Sequence, residues 1–121
     1  MSDNRNEKRH FTRVALELPV AVHQGGSTWQ LQLIDISLGG ASTTQPATWD
    51  AQYNEPFTLI ITLPGGEELE LYAYLQHVEA QRLGFSVQHV DRENILPLRN
   101  LLEQHMDIAT LEAELGLLDE S

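Results

Sequence analysis

Period-two alternation of apolar and polar residues, broken at short intervals by glycine and proline, most narrows what this chain can fold into. Val14, Leu16, Leu18, Val20 and Val22 alternate with Ala15, Glu17, Pro19, Ala21 and His23, the pattern of a half-buried strand. Pro19 lacks a ladder donor, which predicts an edge strand or a bulge. Gln24-Gly25-Gly26-Ser27 reads as a turn. Trp29, Leu31 and Leu33 then mark a second strand running towards Asp35, and residues 41–44 a short third. The stretch 45–56 is polar, contains two prolines, and reads as a loop. Phe57, Leu59, Ile61 and Leu63 alternate again, Pro64-Gly65-Gly66-Glu67 is a hairpin turn, and Leu69, Leu71, Ala73 and Leu75 continue one face. Arg82-Leu83-Gly84 closes another turn, and Leu83, Phe85 and Val87 form the last strand. About six short strands with tight turns predict a mainly β fold, a barrel or a sandwich. A barrel also removes exposed strand edges.

The period then becomes helical. Asp91 can cap a helix in which Ile95, Leu98, Leu101 and Leu102 share a face. Pro97 suits a first turn, so the helix is expected to start near it. Asp107 can cap a second helix with Ile108, Leu111, Leu115 and Leu118 as its stripe. Both stripes read as core packing. A length of 121 residues fits one domain. The division expected is a flexible arm over residues 1–13, then a barrel with C-terminal helices over 14–121.

Charge is distributed unevenly. The formal net charge is −11, yet residues 1–13 carry Arg5, Lys8, Arg9 and Arg13 against Asp3 and Glu7, a local +2. Residues 14–121 carry three arginines against sixteen acids. The acidic whole argues against duplex nucleic acid or an anionic membrane as partner. The basic start reads equally as an anion site or a solvated tail. The chain has no cysteine, hence no disulfide or thiolate metal site. No apolar run is long enough for a membrane span and no signal peptide is read, so a cytoplasmic protein is expected.

Two segments exceed what a barrel needs. Arg9-His10-Phe11-Thr12-Arg13 lies where the arm meets the first strand, and Asp35-Ile36-Ser37-Leu38-Gly39-Gly40 lies between the second and third. An arginine fork matches the O6/N7 edge of guanine and also binds phosphate bidentately. An ionised Asp35 accepts from guanine's amino and ring N–H groups. Ser37 can donate to a phosphate oxygen, and Gly40 allows close approach to the backbone. Each motif alone has a plainer reading, a chance arginine pair or a turn closed by its own side chains.

Together and in this order, R-x-x-x-R (Arg9, Arg13) and D-x-S-x-x-G (Asp35, Ser37, Gly40) resemble the PilZ family of bacterial cyclic di-GMP receptors. That resemblance implies a six-stranded antiparallel β-barrel followed by helix, with an N-terminal segment that folds over the ligand. It implies that Arg9 and Arg13 grip bases and phosphates, that Lys8 influences how many ligand molecules bind, and that Asp35, Ser37 and Gly40 form the opposite wall. A further contact from a later strand is expected, and His77 is the candidate, against the plainer reading of an exposed strand histidine. The implied protein is a monomeric receptor without cofactor or metal that signals to an unidentified downstream protein. An adapter that binds protein and no nucleotide is the alternative, although such members usually lack the arginines. An enzyme is not expected, since D-x-S is not a nucleophile elbow and no paired carboxylate or metal cluster stands out.

Overall fold

The structure, a computed structural model, describes residues 11–52 and 54–119. Among them the elements are β1 (Val14–Ala15), β2 (Pro19–Gln24), β3 (Ser27–Ile36), β4 (Gly40–Thr44), β5 (Phe57–Thr62), β6 (Glu68–Glu79), β7 (Arg82–His89), α1 (Arg92–Glu103) and α2 (Ile108–Asp119). All strand pairs are antiparallel. β1 and β2 both pair with β3 and act as one interrupted strand. Leu16 N donates to Ile34 O, and Leu33 N to Leu18 O, so pairing continues across the break, and Pro19, which has no N–H to give, opens β2. The order β3-β2-β5-β6-β7-β4, with β4 pairing back to β3, closes a six-stranded barrel.

The barrel is filled by the inward half of each alternating run. Val20, Val22, Leu33, Ile36, Leu59, Ile61, Leu69, Leu71 and Leu83 are almost completely buried. Phe57 meets Phe85 edge-on, and Trp49, from the expected loop, stacks on Phe57. Burying a side chain of this size contributes roughly 1.5–3 kcal/mol, so a row of them outweighs any single polar contact on the surface.

Three local expectations are corrected. The turn predicted at Arg82–Gly84 falls at Ala80 and Gln81, which take left-handed φ angles of 54° and 64°. Neither is the glycine or asparagine that usually marks such a turn, and Arg82 and Gly84 lie inside β7. α1 begins at Arg92 rather than near Pro97, which sits within the helix. Proline there forgoes one intrahelical bond, a loss offset by burial of Leu98, Leu101 and Leu102. Ile95 and Ile108, expected on the packed stripes, are exposed, whereas Leu111 is buried and Leu115 packs against the core. The Leu118 side chain lies outside the described residues.

Asp91 occupies the cap position of α1 without a side-chain capping bond. Asn94 ties α1 to the barrel by accepting from Glu70 N at 2.9 Å. Asp107 caps α2, its Oδ2 accepting from Thr110 N at 3.1 Å. No helix among the described residues is long and apolar enough to cross a membrane.

Candidate functional site

Two register shifts aim the expected site residues. In β3, Leu33 pairs with Thr43 but Asp35 pairs with Ser42, leaving Ile34 as an extra residue. In β6, Leu75 pairs with Phe85 but His77 pairs with Gly84, leaving Gln76 extra. Strict alternation would put Asp35 and His77 on the inner face with Leu33 and Leu75. Each bulge reverses the parity, so both side chains face outward while Ile36 and Val78 turn to the core.

The result is one lateral row across four strands. Asp35 of β3 pairs with Ser42 of β4, Ser42 with Gly84 of β7, and Gly84 with His77 of β6. The neighbouring outward row is Gly40, Ser86 and Tyr74. Small residues therefore floor a patch on the outside of the barrel, with an acid at one side and an imidazole at the other. The His77 ring lies directly over Gly84, where a β-carbon would sit 2.5 Å from Nε2.

Asp35 gathers two cations. Arg13, just before β1, donates from Nη1 to Oδ1 at 2.7 Å, and Arg82, at the start of β7, donates from Nη2 to Oδ2 at 3.2 Å. The carboxylate side chain is 15% exposed, whereas those of Arg13 and Arg82 are 49% and 43% exposed. Ion pairs this open to water contribute about 0–1 kcal/mol each, so a ligand can rearrange them at little cost.

The turn from β3 to β4 is closed differently. Ser37 is 3% exposed. Its Oγ accepts from the amides of Gly39 and Gly40, each at 3.1 Å, and its own amide donates to Gly40 O at 2.8 Å. A β-carbon on Gly40 would lie 2.5 Å from Phe85 O and 3.5 Å from Arg13 Nη2. The glycine thus lets β7 approach and gives Arg13 its place. The Phe11 ring lies over Gly39, 2.7 Å from where a β-carbon would stand. Thr12 is fastened separately. Its amide and hydroxyl donate to the buried Glu114 carboxylate of α2, the hydroxyl at 2.6 Å.

Arg13, Asp35, Ser37, Gly40 and His77 thus lie on or beside one outer patch. Lys8 and Arg9 lie outside the described residues. Sequence reasoning assigned no role to Arg82, to Phe11 against Gly39, or to Thr12 with Glu114. The available signal for Arg82 was its rarity, one of three cations after residue 13. Among the described residues no group of three or more His, Asp or Glu is placed to hold a metal ion.

Comparison with known proteins gives a consistent picture. The PilZ domain family model matches residues 5–105. The PilZ domain of YcgR from Escherichia coli, solved with c-di-GMP, superposes with a TM-score of 0.66 at 17% identity, covering 88% of this chain and 98% of that one. The PilZ domain of CeSA from a cellulose-synthesizing bacterium gives 0.62 at 24% identity, covering 74% and 93%. The Bacillus subtilis inhibitor of motility MotI/DgrA gives 0.64 at 17% identity, covering 81% of this chain and 53% of that one, so this chain spans about half its length. At these identities the likeness is one of fold.

Proposed function

Because this chain belongs to the PilZ domain family, we propose that it is a non-catalytic receptor for cyclic di-GMP that changes conformation on binding and signals to a downstream protein. One observation carries this reading: Arg13, Asp35, Arg82 and His77 surround a floor of small residues on the outside of the barrel. The set matches the ligand's chemistry. Asp35 accepts from a guanine Watson–Crick edge, and arginines take the O6/N7 edge or a phosphate. His77 offers an imidazole face beside Gly84. Gly40 and Ser37 hold the turn that keeps the backbone wall in position.

Residues 1–13, with Lys8, Arg9 and Arg13, act in this reading as an arm closing over a ligand that carries two negative charges. Ordering an arm costs roughly 1–2 kcal/mol per residue fixed, so only a ligand touching several of its residues holds it down. No nucleophile is assigned. The Ser37 hydroxyl is occupied by backbone amides, and among the described residues no general base adjoins it.

The test is isothermal titration of the purified chain with cyclic di-GMP, with GTP as control. Selective, saturable heat at one or two ligands per chain is expected, lost in Arg13→Ala. Absence of heat together with an unchanged melting temperature would falsify the receptor reading and favour an adapter that binds protein alone.

A further inference from the structure

We propose that Arg82 is a third arginine of the ligand site, one that reads the O6/N7 edge of guanine from the barrel itself. This rests on the receptor reading above. The family's motif arginines precede the first strand, whereas Arg82 belongs to β7, where it pairs laterally with Thr44 and Glu79.

The argument starts from bonding capacity. An ionised carboxylate has about four acceptor sites. Asp35 uses one on Arg13 and one on Arg82, from different oxygens. Each oxygen therefore retains capacity, enough for guanine's N1–H and amino group. In the plane of the base, O6 lies next to N1, with N7 beyond it. A guanidinium flanking the carboxylate then meets O6 and N7 as the carboxylate meets the N–H groups. Adenine, with an acceptor at N1 and an amino group in place of O6, mismatches both partners.

Arg82 is free to do this. Of its five N–H groups, one is used on Asp35, and its buried Nε has no hydrogen-bond partner among the described residues. No acceptor is bonded to Nη1 among those residues either, so the end of the fork remains open. It is also fixed in place by the β4–β7 and β6–β7 ladders. Guanine recognition then exists on the barrel, and Arg13 is released for phosphate or a second base.

The experiment compares wild type, Arg82→Ala and Arg82→Lys by calorimetry, using cyclic di-GMP, its 7-deazaguanine analogue and cyclic di-AMP. Arg82→Ala is expected to bind cyclic di-GMP on the order of ten- to a hundredfold more weakly, the usual worth of a bidentate base contact. Lysine, a point donor, should restore only part of that. The decisive readout is the deaza analogue. Loss of N7 should weaken wild type by a larger factor than Arg82→Ala, which a merely structural role for Arg82 would not produce. If both lose affinity equally, or if Arg82→Ala binds cyclic di-GMP as wild type does, the assignment is overturned while the receptor reading stands. If wild type itself does not bind, the receptor reading fails first.

Discussion

The two walls of the candidate site are built in opposite ways, although six consecutive residues contribute to both. On the turn wall, Ser37 and Gly40 are buried and directed at their own backbone, through three bonds at 2.8–3.1 Å and a close approach to Phe85 O. On the charged wall, Asp35 faces outward and is shared by two arginines that remain nearly half exposed. The first wall has almost no spare bonding capacity and the second has a great deal. A motif can thus combine residues that fix geometry with residues that meet a ligand, and substitution separates the two classes. Stability should follow the turn wall, and affinity the charged wall.

The sharpest attempt to break that division is Gly40→Ala. The new methyl meets a backbone carbonyl, which cannot rotate away as a side chain can, so β4 and β7 must part. A loss of about 3 kcal/mol is expected, at the upper end for overpacking, read as a lower urea midpoint at unchanged slope. Ser37→Ala comes next. It strips the acceptor from two amides, one of them in buried Gly40, and about 1–2 kcal/mol is expected. If either variant unfolds like wild type, the turn wall is more yielding than its bonding implies.

The division also explains what could be read without coordinates. Strand periodicity located the strands but left barrel or sandwich open until the family resemblance implied a barrel, and the motif residues were visible as residue types at a given spacing. Their facing was not. Asp35 and His77 continue the odd-numbered apolar series of their strands, and only the bulges at Ile34 and Gln76 turn them outward. The clue was that the apolar series resumes on even numbers, at Ile36 and Val78. Arg82 was illegible for a different reason. Its neighbour Asp35 lies 47 residues away, and the register that unites them passes through β4. The hairpin at Ala80-Gln81 escaped because neither residue signals a left-handed turn. Pro97 is a misleading signal because proline suits the first turn of a helix, while packing of the leucine face tolerates it inside.

Asp35→Asn probes the charged wall at nearly constant volume. Stability should change by less than about 1 kcal/mol, and raising the salt to 1 M should shrink even that, since screening then acts within about 3 Å. Affinity for cyclic di-GMP should fall on the order of tenfold or more, because a charged acceptor becomes a neutral amide. A stability loss matching that of Ser37→Ala, insensitive to salt, would erase the distinction between the walls.

The smallest effect concerns a half-buried polar pair that belongs to neither wall. The Tyr72 hydroxyl donates to Glu70 Oε2 at 2.9 Å. That bond, then desolvation, then the negative charges of Glu70 and Asp91 and a hydrogen bond with Asp91 push its pKa up from 10.0 to about 12. The folded state therefore favours the protonated phenol. Its contribution should be fully present below pH 10, where folded and unfolded chains both keep the proton, and should be lost as pH rises through about 12. Absorbance titration near 295 nm, with Tyr72→Phe as reference, isolates this group. A late-titrating phenol absent from the variant would show that a half-buried polar cluster can carry a pH-dependent increment, as the ion pairs of the charged wall are held to do with salt. A Tyr72 that ionises near 10 would mean that partly exposed polar contacts on this barrel are too loose to register, and would leave the charged wall's role to ligand binding alone.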